Sequence, residues 1–184
     1  MSTTLIVLIV IALILVLIYN SLVAKKNQVE NIFASVDTVL KKRYDLIPNL
    51  VASVGKYMEH EKSLLAEVTK LRADASRPNI NEAQKIALDA KVSSALGSIM
   101  VAVESYPELK ANETMMHLQR SLNEVEEQIS AARRAYNQAV TDYNNAIEMI
   151  PTSIMASIIN YKRKDVFIVI ESQRENVSVK ELFN

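Results

Sequence analysis

Two histidines, His60 and His117, are the side chains of this 184-residue chain best suited to binding a metal or moving a proton near neutral pH. Zinc takes three or four ligands at set spacings, and His60-Glu61 is followed by no second histidine at helical spacing. Neighbouring residues on a helix also point about 100° apart, so His60 and Glu61 do not readily share a ligand sphere. Both histidines read as surface or partly packed residues. Cysteine is absent, which removes thiolate nucleophiles, Cys-ligated zinc and disulfides. Neither a serine triad pattern nor a glycine-rich phosphate loop occurs. The expectation is a protein without catalysis, cofactor or metal.

The remaining candidates are charged or aromatic residues set in apolar surroundings. Arg43 and Glu61 each interrupt an otherwise apolar row, and a pocket lining would need other titratable groups beside them. Pairing with charges on facing helices or on a partner, which fixes register, is the preferred reading. Arg133 and Arg134 sit mid-helix with Glu124, Glu126 and Glu127 a few turns away, so surface pairing accounts for them better than lipid phosphate does. Tyr136 and Tyr143, each followed by Asn, are seven apart and read as packing residues whose hydroxyls need partners.

The elements that carry these residues are helical. Two Gly and four Pro are too few for a hairpin-rich fold. From Leu5 to Ile18 the chain is wholly apolar, and no charge appears before Lys25, which gives a stretch long enough to cross a bilayer. Tyr19 stands where an interfacial aromatic would stand. A cleaved signal peptide fits less well, because a basic leading region is missing and Leu22 occupies a position that wants a small residue. Lys25 and Lys26 flank one side only, so the positive-inside rule puts the domain in the cytoplasm.

Beyond the anchor, Val29, Val36, Leu50, Tyr57, Leu64 and Leu71 form one heptad-spaced row, broken at Arg43. Phe33, Leu40, Ile47, Val54 and Val68 form a second, broken at Glu61, and together they make one stripe. Pro48 interrupts this helix. The stripe keeps its phase across it, which favours a kink; Asp45 capping a new helix would instead give a hairpin and a fourth helix. Ser76 to Asn79 is a loop, residues 82–103 a second helix, and Met115 to Ala146 a third with a coiled-coil-like seam. Thr152 to Ile159 reads as a short helix, and Val166 to Ile170 is strand-like in composition.

These boundaries divide the chain into an anchor at 1–24, a helical bundle at 25–151 and a short helix with an arm or tail at 152–184. At 1.5 Å per residue the first helix beyond the membrane would span about 80 Å and the second about 37 Å. The stripe at Val29, Phe33, Val36 and Leu40 would then outrun its neighbour and need a cover, either a hairpin within the chain or another copy of it. With Arg43, Pro48, Glu61, Tyr136 and Tyr143, these residues are the candidates for packing or oligomer contacts.

Several patches taken together resemble the LemA family. They are Tyr19-Asn20-Ser21-Leu22-Val23, the run Leu40-Lys41-Lys42-Arg43-Tyr44-Asp45-Leu46-Ile47-Pro48-Asn49-Leu50-Val51, Tyr57 with His60-Glu61, and Tyr106-Pro107-Glu108-Leu109-Lys110-Ala111-Asn112. Ala132-Arg133-Arg134-Ala135-Tyr136-Asn137, Tyr143-Asn144 and Pro151-Thr152 complete the series. The tail after Asn160 departs from the family's usual ending. The resemblance implies a small bacterial membrane protein with one transmembrane helix and a helical bundle, and no established reaction, cofactor or catalytic residue.

The fold expected is thus all-α: a transmembrane helix followed by an antiparallel bundle of three long helices, or four with a break at Pro48. The role expected is a structural or organising protein of the bacterial inner membrane that self-assembles as a homo-oligomer. The alternative is a signalling adaptor passing a membrane-side state to an unidentified protein partner. Balanced charge, no Trp and only three Phe argue against nucleic acid.

Overall fold

The computed structural model describes residues 2–167, and all regular structure among them is helical. The long elements are α1 (Thr3–Val54), α2 (Lys62–Ala75), α3 (Glu82–Val103) and α5 (Glu113–Glu148). Two short helices, α4 (Pro107–Lys110) and α6 (Thr152–Ile158), sit at the turns before and after α5. The strand-like Val166–Ile170 segment is an irregular extended arm as far as Phe167, and its last three residues lie outside the described ones.

α1 is continuous from the apolar segment into the bundle and does not end at Pro48. A proline inside a helix leaves the carbonyl four residues earlier without its amide donor. That carbonyl belongs to Tyr44, and Nε of Arg72 on α2 donates to it at 2.9 Å. The helix ends instead at Val54, followed by Gly55, a poor helix former. Met58 closes the turn with a fully buried side chain and an amide that donates to the Val54 carbonyl at 2.9 Å. The bundle therefore has four long helices, with the reversal at residues 55–58 and no hairpin at Pro48, where the helix continues. The heptad row continues in phase past this turn, which is why periodicity alone did not reveal it.

α2 folds back along α1, and α3 reverses again through the loop around Asn79, whose φ of 66° suits Asn. Asn81 caps α3 with a full capping box: its side chain accepts from the Gln84 amide at 2.8 Å while Gln84 accepts from the Asn81 amide. Asn112 caps α5 with a single bond, its side chain accepting from the Met115 amide at 3.1 Å. α5 then runs antiparallel to α1, as Phe33 meets Tyr136 and Lys42 meets Gln128.

This pairing decides the fate of the membrane-proximal stripe. Val29, Val36 and Leu40 are completely buried, and Phe33 is half-buried against Tyr136. α3 reaches the level of Asp37, which Lys85 pairs, so only the Val29 end of the stripe outruns α2 and α3, and α5, about 54 Å long, covers it within the chain. Its need for a cover no longer argues for a second copy.

Candidate functional site

The most densely charged interior point lies where α1, α3 and α5 meet. Arg43 is 1% exposed and Asp89 2% exposed, so either one alone would carry a large desolvation cost. They meet directly: Nη2 of Arg43 donates to Oδ1 of Asp89. Nη1 of Arg43 donates to Ser93 Oγ at 2.8 Å and to Glu126 Oε2 at 3.1 Å. The second Asp89 oxygen takes Nη2 of Arg133, whose other terminal nitrogen lies 3.7 Å from Glu126. Two guanidinium groups and two carboxylates thus alternate, with formal charge cancelled. This closed ring of opposite charges ties α1, α3 and α5 to one another at this level.

Arg43 thus finds charges on two facing helices. Its main partner, Asp89, was not singled out from sequence, although it shares a face with Val92, Leu96 and Ile99 and interrupts that row as Arg43 interrupts its own. Arg133 turns inward to Asp89 as well as pairing with Glu126, which corrects the view of it as a surface residue. Glu61 also departs from expectation: it lies in the 3₁₀ turn Glu59–Glu61, off the helical row, and forms no ion pair among the described residues. His60 and His117 are both exposed, and His117 approaches only Glu113, at 4.0 Å. Pro48 is exposed.

Tyr136 is fully buried between the rings of Phe33 and Phe167, at centroid distances of 5.4 and 5.3 Å. Tyr143 donates its hydroxyl to the Lys162 carbonyl at 3.0 Å. The asparagines that follow them hold the arm. Asn144 Nδ2 donates to the Lys164 carbonyl and its Oδ1 accepts from the Lys164 amide, both at 3.0 Å. Asn137 grips Phe167 in the same two-point fashion, at 2.9 and 2.8 Å. Seven helical residues advance about 10.5 Å and three extended residues about 10 Å, so the two amides match the arm's repeat.

Burial pushes the phenols upward. Tyr44 reaches about 12, chiefly by desolvation and against the lowering effect of Arg43. Tyr136 and Tyr143 are raised as well, first by burial and then by Glu82 and Tyr161 respectively. A cavity of about 380 Å³ opens beside Asp89, Ser93, Arg133 and Phe167, with Ile86 and Ala90 on its apolar wall.

The profile of the LemA family matches residues 32–180, so the tail after Asn160, expected to depart from the family, falls largely within the match. This chain belongs to the LemA family. It is similar to magnetosome protein MamQ 2 and to magnetosome protein MamQ 1 of Paramagnetospirillum magneticum, each 25% identical over 174 aligned positions that take in 81% of this chain. Magnetosome protein MamQ of Magnetospirillum gryphiswaldense is 23% identical over the same extent. The chain spans 64% of the length of these curated relatives.

In this LemA-family chain the apolar end of α1 stands out from the bundle, with Leu5, Leu8, Leu13 and Leu17 all exposed. α3 is also long and apolar enough to cross a membrane, but Val92, Ala95, Leu96 and Ile99 commit its apolar face to the core. The protein is a membrane-associated helical protein, and the N-terminal part of α1 is the segment suited to that association.

Proposed function

We propose that this LemA-family protein is a structural or organising component of the bacterial inner membrane, non-catalytic, anchored by one span and self-associating there. The observation that carries the reading is the unbroken α1. Its 52 residues form a helix of about 78 Å that joins the lipid-suited segment to the far end of the bundle without a break. A stiff anchor of this kind transmits the bundle's orientation to the bilayer, which a flexible tether would not do. The relatives named as magnetosome proteins support an organising role by analogy of family.

Lys25 and Lys26 favour a cytoplasmic bundle. With the Val29–Leu40 stripe covered inside the chain and the exposed apolar part of α1 facing lipid, self-association is the part of this reading that crosslinking decides. The same unbroken rod favours a second reading, an adaptor that passes a membrane-side state to a partner protein. Crosslinking in intact membranes followed by mass spectrometry separates the two. Self-crosslinks and a defined oligomer in mild detergent are the expected outcome. A monomer over a wide concentration range counts against the organising role, and a stoichiometric second protein supports the adaptor.

A further inference from the structure

The end of the bundle from which the apolar part of α1 emerges carries an apolar patch of its own. Met149 is 63% exposed, Ile150 84%, Ile154 63% and Ile158 74%. Ile154 and Ile158 are one turn apart on the outer face of α6, while Ala156 on the inner face is buried. Four large apolar side chains clustered in ten residues exceed the scatter of single exposed apolar residues that needs no explanation.

The depth of this patch follows from the helix register. α5 runs antiparallel to α1, with Arg43 at Glu126 and Phe33 at Tyr136. Continued to the end of α5, that register puts Glu148 level with Ser21, and Met149 and Ile150 follow it directly at this end of the bundle. α6 packs across α1 there, and Leu22 is completely buried although it lies in the uncharged stretch. A Schellman turn then sends the chain back: Asn160, with φ 56°, follows α6, and the Tyr161 amide donates to the Ala156 carbonyl at 2.9 Å.

Leu5 to Ile18 covers about 21 Å, short of the hydrocarbon core of about 30 Å. The remaining depth comes from the turns up to Ala24, before the first charge at Lys25. Those are the turns that α6 and the end of α5 flank, so a bilayer spanned by α1 reaches the level of Ile150 and Ile154. Charged groups border the patch on its bundle side: Arg163 pairs with Glu148, level with Ser21, and Lys26 pairs with Glu30 one turn further on. Apolar residues with cations behind them are the arrangement an interfacial helix presents to lipid.

We propose that the Met149–Ile158 corner is seated in the same leaflet that α1 enters, with Met149, Ile150, Ile154 and Ile158 among the acyl chains. This rests on α1 spanning the bilayer. It makes the bundle's base a second membrane contact that fixes the tilt of the rod and occupies area on one leaflet only.

The absence of native cysteine allows single-site labelling of the full-length protein. Ile150→Cys, Ile154→Cys and Ile158→Cys would carry an environment-sensitive fluorophore in vesicles of phosphatidylethanolamine and phosphatidylglycerol with brominated chains. Ile11→Cys reports on the span, and Val101→Cys, equally exposed but at the far end of the bundle, reports on water. The expected result is blue-shifted emission quenched by brominated lipid at 150, 154 and 158 as at 11, with iodide quenching at 101. Iodide quenching at 154 and 158 with lipid quenching at 11 overturns the inference and leaves the span intact. Iodide quenching at 11 removes the span itself. Protection at 154 and 158 from both quenchers, growing with protein density, assigns the patch to a second copy and also overturns the inference.

Discussion

Arg43 and Asp89 each lie on an apolar helix face where an unpaired charge would be expelled or neutralised, and burial holds the two together. Removing one partner of a buried pair costs far more than replacing both. Arg43→Met leaves Asp89 with Arg133 alone and Glu126 with a longer contact, so we expect a loss of about 3–5 kcal/mol in detergent-solubilised protein, read by denaturant midpoint. Arg43→Met combined with Asp89→Leu should recover most of that loss, because Arg133 still has Glu126. A double variant as unstable as the single one would show that the ring does more than set register.

At the scale of elements, two helices depend on polar contacts from outside themselves. α1 survives Pro48 because Arg72 donates to the orphaned Tyr44 carbonyl. Arg72→Ala should cost about 1–3 kcal/mol, the range for an unsatisfied buried acceptor. With Pro48→Ala in place the cost should shrink, since residue 48 then supplies its own amide. Additive costs in this double-mutant cycle would mean that the contact is incidental. α5 in turn is a ruler for the arm. Asn144→Ala deletes both bonds to Lys164, and Asn137→Ala both bonds to Phe167. Either variant should speed cleavage by trypsin at Lys162, Arg163 and Lys164 with little change in circular dichroism. An unchanged cleavage rate would show that the rings of Tyr136 and Phe167 hold the arm without the amides.

For the whole molecule, the raised phenols set an alkaline limit. Tyr44, Tyr136 and Tyr143 are distributed along the α1–α5 pair, and each titrates higher folded than the unfolded value of about 10. Above pH 10 the unfolded chain holds fewer of these protons than the folded one, so stability falls as pH rises. The contribution is whole below about pH 10 and is lost as pH passes through the folded value, about 12 for Tyr44. Melting temperature followed between pH 8 and 12 should decline from about pH 10, and Tyr44→Phe should flatten part of the decline. A flat profile to pH 12 would show that these hydroxyls titrate freely.

Local pattern alone determined that the chain is helical, where α3 and α5 begin, and which residues of the α5 seam face inward. Met115, Leu118, Leu122, Val125, Ile129, Tyr136, Ala139 and Tyr143 are all buried as their spacing requires, because the helical repeat is a property of consecutive residues. Tertiary structure decided the rest. The turn at residues 55–58 was hidden because the heptad phase runs on through it, and only the packing of α2 back onto α1 shows that the rod ends there. Asp89 and Arg72 became meaningful only when helices distant in sequence brought Arg43 and the Tyr44 carbonyl to them. The cover over Val29 and Leu40 is likewise a matter of which helix lies beside which, a choice made by burial between segments about a hundred residues apart, beyond the reach of any local period.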